Sequence, residues 1–175
     1  MEPLRIYRIN EHYVNYLHSV DHRVQYNKGQ RRPYVGVVLL VGKYKYFVPM
    51  ESPKPNHAHI KSGVHLMPLA GGQYGLLGFN NMIPVPDYAV IPFDIDGEKD
   101  PHYADLLRRQ AAYINRNKAD IYHHAESTYY KATNGKNAFL LRICCDFIKL
   151  EKAMGRYDPE YAKRRRPNPR KGSPN

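Results

Sequence analysis

Two short segments hold the side chains best suited to phosphate chemistry. Tyr26, Lys28, Arg31 and Arg32 lead into an apolar run that starts at Pro33, and Glu51-Ser52-Pro53-Lys54 leaves the run that follows it. Cations neutralise phosphoryl oxygens, and fixed donors oppose the charge that builds when a phosphodiester is attacked. A serine hydroxyl and a phenol can hydrogen-bond a phosphate. The same residues also suit a solvated basic loop that grips phosphate without chemistry.

Other constellations are weaker. His57 and His59, with His65 nearby, have spacing that would point two imidazoles to one face of a strand, as zinc ligation needs. They sit in a proline-bounded loop with no cysteine to complete a shell, so a surface or RNA-facing role is expected for His57 and His59, and no metal or other cofactor. Asp94, Asp96 and Glu98 read as a solvated turn rather than a magnesium site. Cys144-Cys145, placed in a strand, would point one thiol inward and one outward, as structural filler.

The elements that must position these groups can be read from periodicity. Leu4 to Ile9 predicts a strand, and Asn10 stands where a helix cap belongs, ahead of Tyr13, Val14 and Leu17 at helical spacing. Pro33 to Val41 is the strongest strand signal, Gly42-Lys43 a tight turn, and Tyr44 to Val48 the returning arm of a hairpin. An antiparallel hairpin brings its outer ends together, so Arg31-Arg32 and Ser52-Lys54 become neighbours. Pro49 to Ser62 reads as a loop. Short β segments follow over Val64–Leu69, Tyr74–Phe79, Met82–Val85 and Ala89–Phe93. Asp100-Pro101 opens a helix striped by Leu106, Leu107, Gln110, Ala111 and Ile114. A second helix is expected over Asp120–Ala132, a strand over Ala138–Cys145, and a last helix from the Asp146 cap to about Tyr157. Strands first and helices later, without βαβ alternation, argue an α+β fold with a mostly antiparallel sheet.

Composition sets the outer bounds. The 175 residues fit one domain, and 42% apolar content is ordinary for a folded chain. No apolar run is long enough to span a bilayer and the first ten residues lack an apolar signal core, so a cytoplasmic protein with no membrane partner is expected. The net charge is +11, and Glu160 to Asn175 alone carries six cations against one acid. A basic body with a basic tail implies a polyanionic partner, most simply nucleic acid, and sixteen tyrosines supply stacking surface.

Several stretches carry a resemblance to a known family. RRPYVGVVLL (31–40), KYKYFVPMESPK (43–54), LGFNNMIPV (77–85), LLRRQAAYINRNKADI (106–121) and LLRICCDFIKLE (140–151) occur in order and span most of the chain. Together they resemble the ToxN/AbiQ family, the endoribonuclease toxins of type III toxin–antitoxin systems, with the CptN branch as one candidate within it. The resemblance implies a Kid/MazF/CcdB-like core: a twisted, mostly antiparallel sheet with surrounding helices, one toxin domain over 1–158 and a basic Pro/Arg-rich tail over 159–175. It implies metal-independent RNA cleavage in which the 2′-hydroxyl attacks the adjacent phosphate, leaving a 2′,3′-cyclic phosphate and a 5′-hydroxyl. Its partners would be cellular or phage RNA as substrate and a structured antitoxin RNA, a pseudoknot, which the toxin cuts from a repeat precursor and with which it closes into a ring.

The family's Ser-Pro-Lys motif falls on Ser52, Pro53 and Lys54, and its basic loop residue falls on Arg32. Tyr26 is the nearest match to the family's loop tyrosine, while Lys28 stands at the counted position. Glu51 replaces a threonine found in better-known members, so either Tyr26 or Glu51 could take the proton. Lys28, Arg31, His57, His59 and the tail residues Lys163, Arg164, Arg165 and Arg166 complete the expected RNA contacts. A non-catalytic RNA-binding protein is the alternative that composition supports equally, with a metal hydrolase third.

Overall fold

Asn10 opens the first helix as its position predicts. In a computed structural model that describes residues 2–160, β1 (Arg5–Ile9) leads to Asn10, whose side chain accepts the Tyr13 N–H at the start of α1 (Glu11–Val20). Tyr13, Val14 and Leu17 are fully buried on the inner face of that helix. The tail cations Lys163 to Arg166 lie outside the described residues.

The hairpin is β2 (Tyr34–Val41) and β3 (Tyr44–Glu51), paired from Val41↔Tyr44 to Tyr34↔Pro49 with a bulge between Gly36 and Leu39. Its second arm runs three residues past the expected Val48. Pro49 is tolerated there because the other flank of β3 is covered by two separate strands. β6 (Ile83–Pro84) pairs with Tyr46 and Phe47, and β5 (Leu76–Gly78) pairs with Met50 and Glu51, so Pro49 falls in the gap where no N–H is needed. β4 (Leu66–Pro68) adds to β5, β1 adds to β2, and β7 (Val90–Pro92) closes the far edge. All these pairings are antiparallel, and the path runs β4-β5-β3-β2-β1-β7.

Asp100 caps α2 (Pro101–Arg116) by accepting the His102 and Tyr103 N–H groups. Asn115 on that helix accepts Leu4 N–H and donates to Leu4 O, so one side-chain amide fixes the start of β1. α3 (Lys118–Thr133) and α5 (Phe147–Arg156) pack on the sheet, the latter capped by Asp146. Tyr46 and Tyr129 both donate to the buried Glu151 carboxylate, at 2.6 and 2.8 Å, which ties α3, α5 and β3 together. The α+β architecture is as expected.

One expected strand is a helix. Ala138–Ile143 forms α4, because Asn137 accepts the Leu140 N–H and caps a turn that has no strand to pair with among the described residues. The cysteines then follow in extended chain, and both are buried rather than split between faces. Cys145 N–H donates to Asn80 O, which pulls the pair under the sheet. Burial pushes the Cys144 thiol up to about 11 and Cys145 higher still, so both are inert.

Candidate active site

The outer end of the hairpin is closed by one hydrogen bond, Met50 N–H to Pro33 O at 3.0 Å. This brings the two basic segments to one place. Lys28, Arg31, Arg32, Pro33, Met50 and Ser52 line an open cleft of about 370 Å³ together with Arg8, Glu98 and Tyr103. Four cations and one carboxylate face a space suited to a single-stranded polyanion.

The loop before β2 is built to present its cations. Buried Asn27 donates to Ile9 O and accepts from Gln30 N–H, and its own carbonyl accepts the Arg32 N–H. Lys28, Gly29 and Gln30 all have positive φ, and this tight turn swings Gln30 back to accept the Glu11 N–H at the start of α1. Arg32 Nε donates to Tyr26 O, and Arg31 Nε donates to Lys28 O, which orients both guanidinium groups. At the loop's other end Asp21 pairs with Arg23 at 3.0 Å and accepts Asp146 N–H. Burial alone would raise the Asp21 carboxyl, but the Arg23 guanidinium and the Asp146 and Arg23 N–H groups outweigh it and hold it below the usual carboxylate range.

The second segment turns sharply after β3. Glu51 Oε2 lies 3.6 Å from Lys54 Nζ and 3.8 Å from His57 Nε2. Lys54 N–H donates to His57 Nδ1, so Nδ1 is the acceptor nitrogen and Nε2 carries the proton toward Glu51. Two glycines let the chain close over this unit. A Cβ on Gly75 (φ +97°) would meet Glu51 O, and one on Gly72 (φ +91°) would press on the His57 backbone. The AGGQYG stretch thus forms the floor beneath Glu51 and His57.

Of the expected residues, Lys28, Arg31, Arg32 and Ser52 line the cleft, Glu51 and Lys54 form the turn beside Ser52 outside that lining, and others are placed differently. His57 is 2% exposed, packed under Glu51 and Lys54, so it is a positioning group rather than an RNA-facing one; its Nδ1 satisfies a backbone donor that would otherwise be orphaned in the turn. His59 is exposed on the following 3₁₀ turn. The Tyr26 ring, 59% exposed, stacks on His18 at 3.9 Å instead of lining the cleft, and the residue enters the site through its carbonyl. Among the described residues no group of three or more His, Cys, Asp or Glu is placed to hold a metal. Arg8 and Tyr103 are cleft residues that the sequence did not single out; an arginine in the middle of an apolar strand, aligned with Ile91, is the signal that could have found the first.

The family model of the ToxN toxin of type III toxin–antitoxin systems matches residues 5–155. The endoribonuclease ToxN of Bacillus thuringiensis subsp. kurstaki is 33% identical over 163 residues, with 87% of this chain and 84% of that protein covered. The endoribonuclease AbiQ of Lactococcus lactis subsp. lactis is 30% identical over 159 residues, covering 85% and 86%. Among solved structures, the chain is similar at TM-score 0.79 and 30% identity to a type III toxin described as selectively inhibited by a non-coding RNA pseudoknot, covering 89% of this chain and 98% of that one. It is equally similar, at TM-score 0.79 and 29% identity, to AbiQ described as a lactococcal anti-phage endoribonuclease, covering 93% and 99%.

Proposed function

Because the chain belongs to the ToxN toxin family of type III toxin–antitoxin systems, we propose that it is a sequence-selective endoribonuclease toxin held in check by a structured RNA. The observation that carries this reading is the cleft at the hairpin's outer end, where Arg31, Arg32 and Lys28 face Ser52. Scissile phosphate sits against these cations, and Ser52 hydrogen-bonds one of its oxygens. The 2′-hydroxyl attacks phosphorus and gives up its proton, the bond to the 5′-oxygen breaks, and that oxygen takes a proton from water, so the products are a 2′,3′-cyclic phosphate and a 5′-hydroxyl. Arg32 and Lys54 offset the extra negative charge of the phosphorane, the role a metal ion would otherwise play.

Glu51 takes the proton from the 2′-hydroxyl. It adjoins Ser52, and Lys54 Nζ and His57 Nε2 lie within ion-pair range of its Oε2. Tyr26 is the less suited base, since its ring is engaged with His18. A structured antitoxin RNA would occupy the same cations as substrate, which is how one phosphate cleft serves cleavage, precursor processing and inhibition.

The test is cleavage of RNA by pure protein in EDTA. An all-ribo oligonucleotide should be cut to cyclic-phosphate ends, and its twin with one 2′-deoxy at the cut site should resist. Binding without cleavage of either would make the chain an RNA-binding protein only. Equal cutting of both would remove transesterification.

A further inference from the structure

Three residues of the cleft lining, Arg8, Tyr103 and Glu98, have a chemistry that phosphate binding does not explain. Arg8 comes from β1, and its guanidinium carbon lies 4.1 Å from the centre of the Phe93 ring, just past β7. Its Nε is buried and has no hydrogen-bond partner. Phe93 in turn meets the Tyr103 ring edge-on at 6.3 Å. Burial, with Glu98 beside it and against the pull of Arg8, raises the Tyr103 phenol, so it stays neutral and can donate or accept. Glu98 is held in the turn before α2, where its Oε1 accepts the Asp100 N–H.

A carboxylate in a cleft for phosphate is a repulsive element, so this end must receive something else. A stacked guanidinium, a neutral phenol and a carboxylate are the groups that read an unstacked base, by its face and by its hydrogen-bonding edge. The cleft's size lies in the range of roughly 300–1,000 Å³ typical of small-molecule sites. The geometry points to a nucleobase subsite formed by Arg8, Tyr103 and Glu98, which takes the base of an RNA nucleotide adjoining the scissile phosphate and prefers adenine, cytosine or guanine to uracil. The preference follows from Glu98. A carboxylate only accepts, and the three favoured bases each present an exocyclic amine to it. Uracil offers a single imide N–H flanked by two carbonyl oxygens, which the carboxylate repels. Arg8, half-buried with its guanidinium over the Phe93 ring, reaches the cleft and supplies the stacking plane.

This subsite rests on the endoribonuclease reading for its place beside a cut, and the test separates the two. Tetranucleotides carrying a 2′-deoxy at the central linkage, with each of the four bases in turn on either side, are bound to the full chain and followed by fluorescence anisotropy. At one flanking position uracil should bind roughly tenfold or more weakly than the other bases. Glu98→Gln should erase most of that gap at that position alone, because a carboxamide can also donate to a uracil carbonyl. Arg8→Lys keeps the charge but loses the plane, so affinity should fall about 5- to 50-fold for every base with an unchanged salt slope. Glu98 sits in an exposed turn, so its variant folds even if the strand variant at Arg8 does not, and melting curves check both. The all-ribo versions are assayed for cleavage in parallel. Cleavage with the base preference intact in Glu98→Gln overturns the subsite and leaves the nuclease; a base preference lost in Glu98→Gln with no cleavage by wild type does the reverse. Absence of any base preference in wild type also overturns it.

Discussion

In the proposed reaction Ser52, Lys54 and Glu51 would carry different parts, and single substitutions should separate them. Ser52 and Lys54 are exposed, so truncation opens no cavity and the melting temperature should hold. Removing one donor aimed at transition-state charge costs about 10²–10³ in rate. Ser52→Ala and Lys54→Ala should therefore each lower kcat/KM by that factor in a purified cleavage assay, with circular dichroism unchanged. Full activity in either soluble variant would displace the proposed site. Glu51→Gln keeps the shape of the side chain and removes its basicity, so cleavage should drop about 10²–10⁴-fold while binding of a 2′-deoxy RNA persists. A merely structural Glu51 would show the opposite pattern, a lower melting temperature with cleavage retained.

Elements decide whether those residues meet, and here the sequence was legible in one respect and silent in another. The hairpin was plain because PYVGVVLLV is a continuous run of mostly β-branched and apolar residues bounded by a Gly-Lys turn, and its antiparallel geometry alone placed Arg31 and Arg32 beside Ser52. The helix at Ala138–Ile143 was hidden because a short apolar run fits either period, and only the Asn137 cap decides it. Arg8, Glu98 and Tyr103 reach the cleft from β1, a turn and α2, which no spacing in the chain links. The burial of His57 could not be read, since the chain closes over this unit through Gly72 against His57 and Gly75 against Glu51, residues distant in the sequence. That closure is testable. Gly75 has φ +97° and a Cβ there would collide with Glu51 O, so Gly75→Ala must strain the backbone and move the carbonyl. The variant should lose about 1–3 kcal/mol in a urea melt and most of its cleavage, whereas Gly135→Ala, at a positive φ with open space around it, should lose a similar or smaller amount of stability and keep its activity.

At the scale of the whole molecule, charge sets both acid stability and RNA grip. The Asp21 carboxyl is depressed in the folded chain, so its contribution is present above the unfolded pKa of about 3.9 and is lost as pH falls through the lower folded value. Asp21→Asn should thus cost about 1–3 kcal/mol at neutral pH, through the Arg23 pairing and the Asp146 N–H it accepts, and the gap to wild type should close in acid. The last expectation concerns residues 161–175, which hold Lys163, Arg164, Arg165, Arg166, Arg170 and Lys171 and no acid. The family match ends at residue 155, so these cations lie beyond the matched sequence. A short linear RNA needs the cleft alone, while a folded antitoxin is large enough to reach further phosphates. Deleting 161–175 should therefore leave most of the cleavage of a short RNA and weaken binding of a structured RNA inhibitor. Every phosphate that the tail no longer neutralises keeps its condensed counterions, so the slope of log K against log salt should flatten by about 0.7–0.9 per phosphate. Titrations of both proteins from low to physiological salt read this directly: parallel lines would show that the cleft alone grips the inhibitor, and converging lines at high salt would assign the difference to the tail's grip on phosphate.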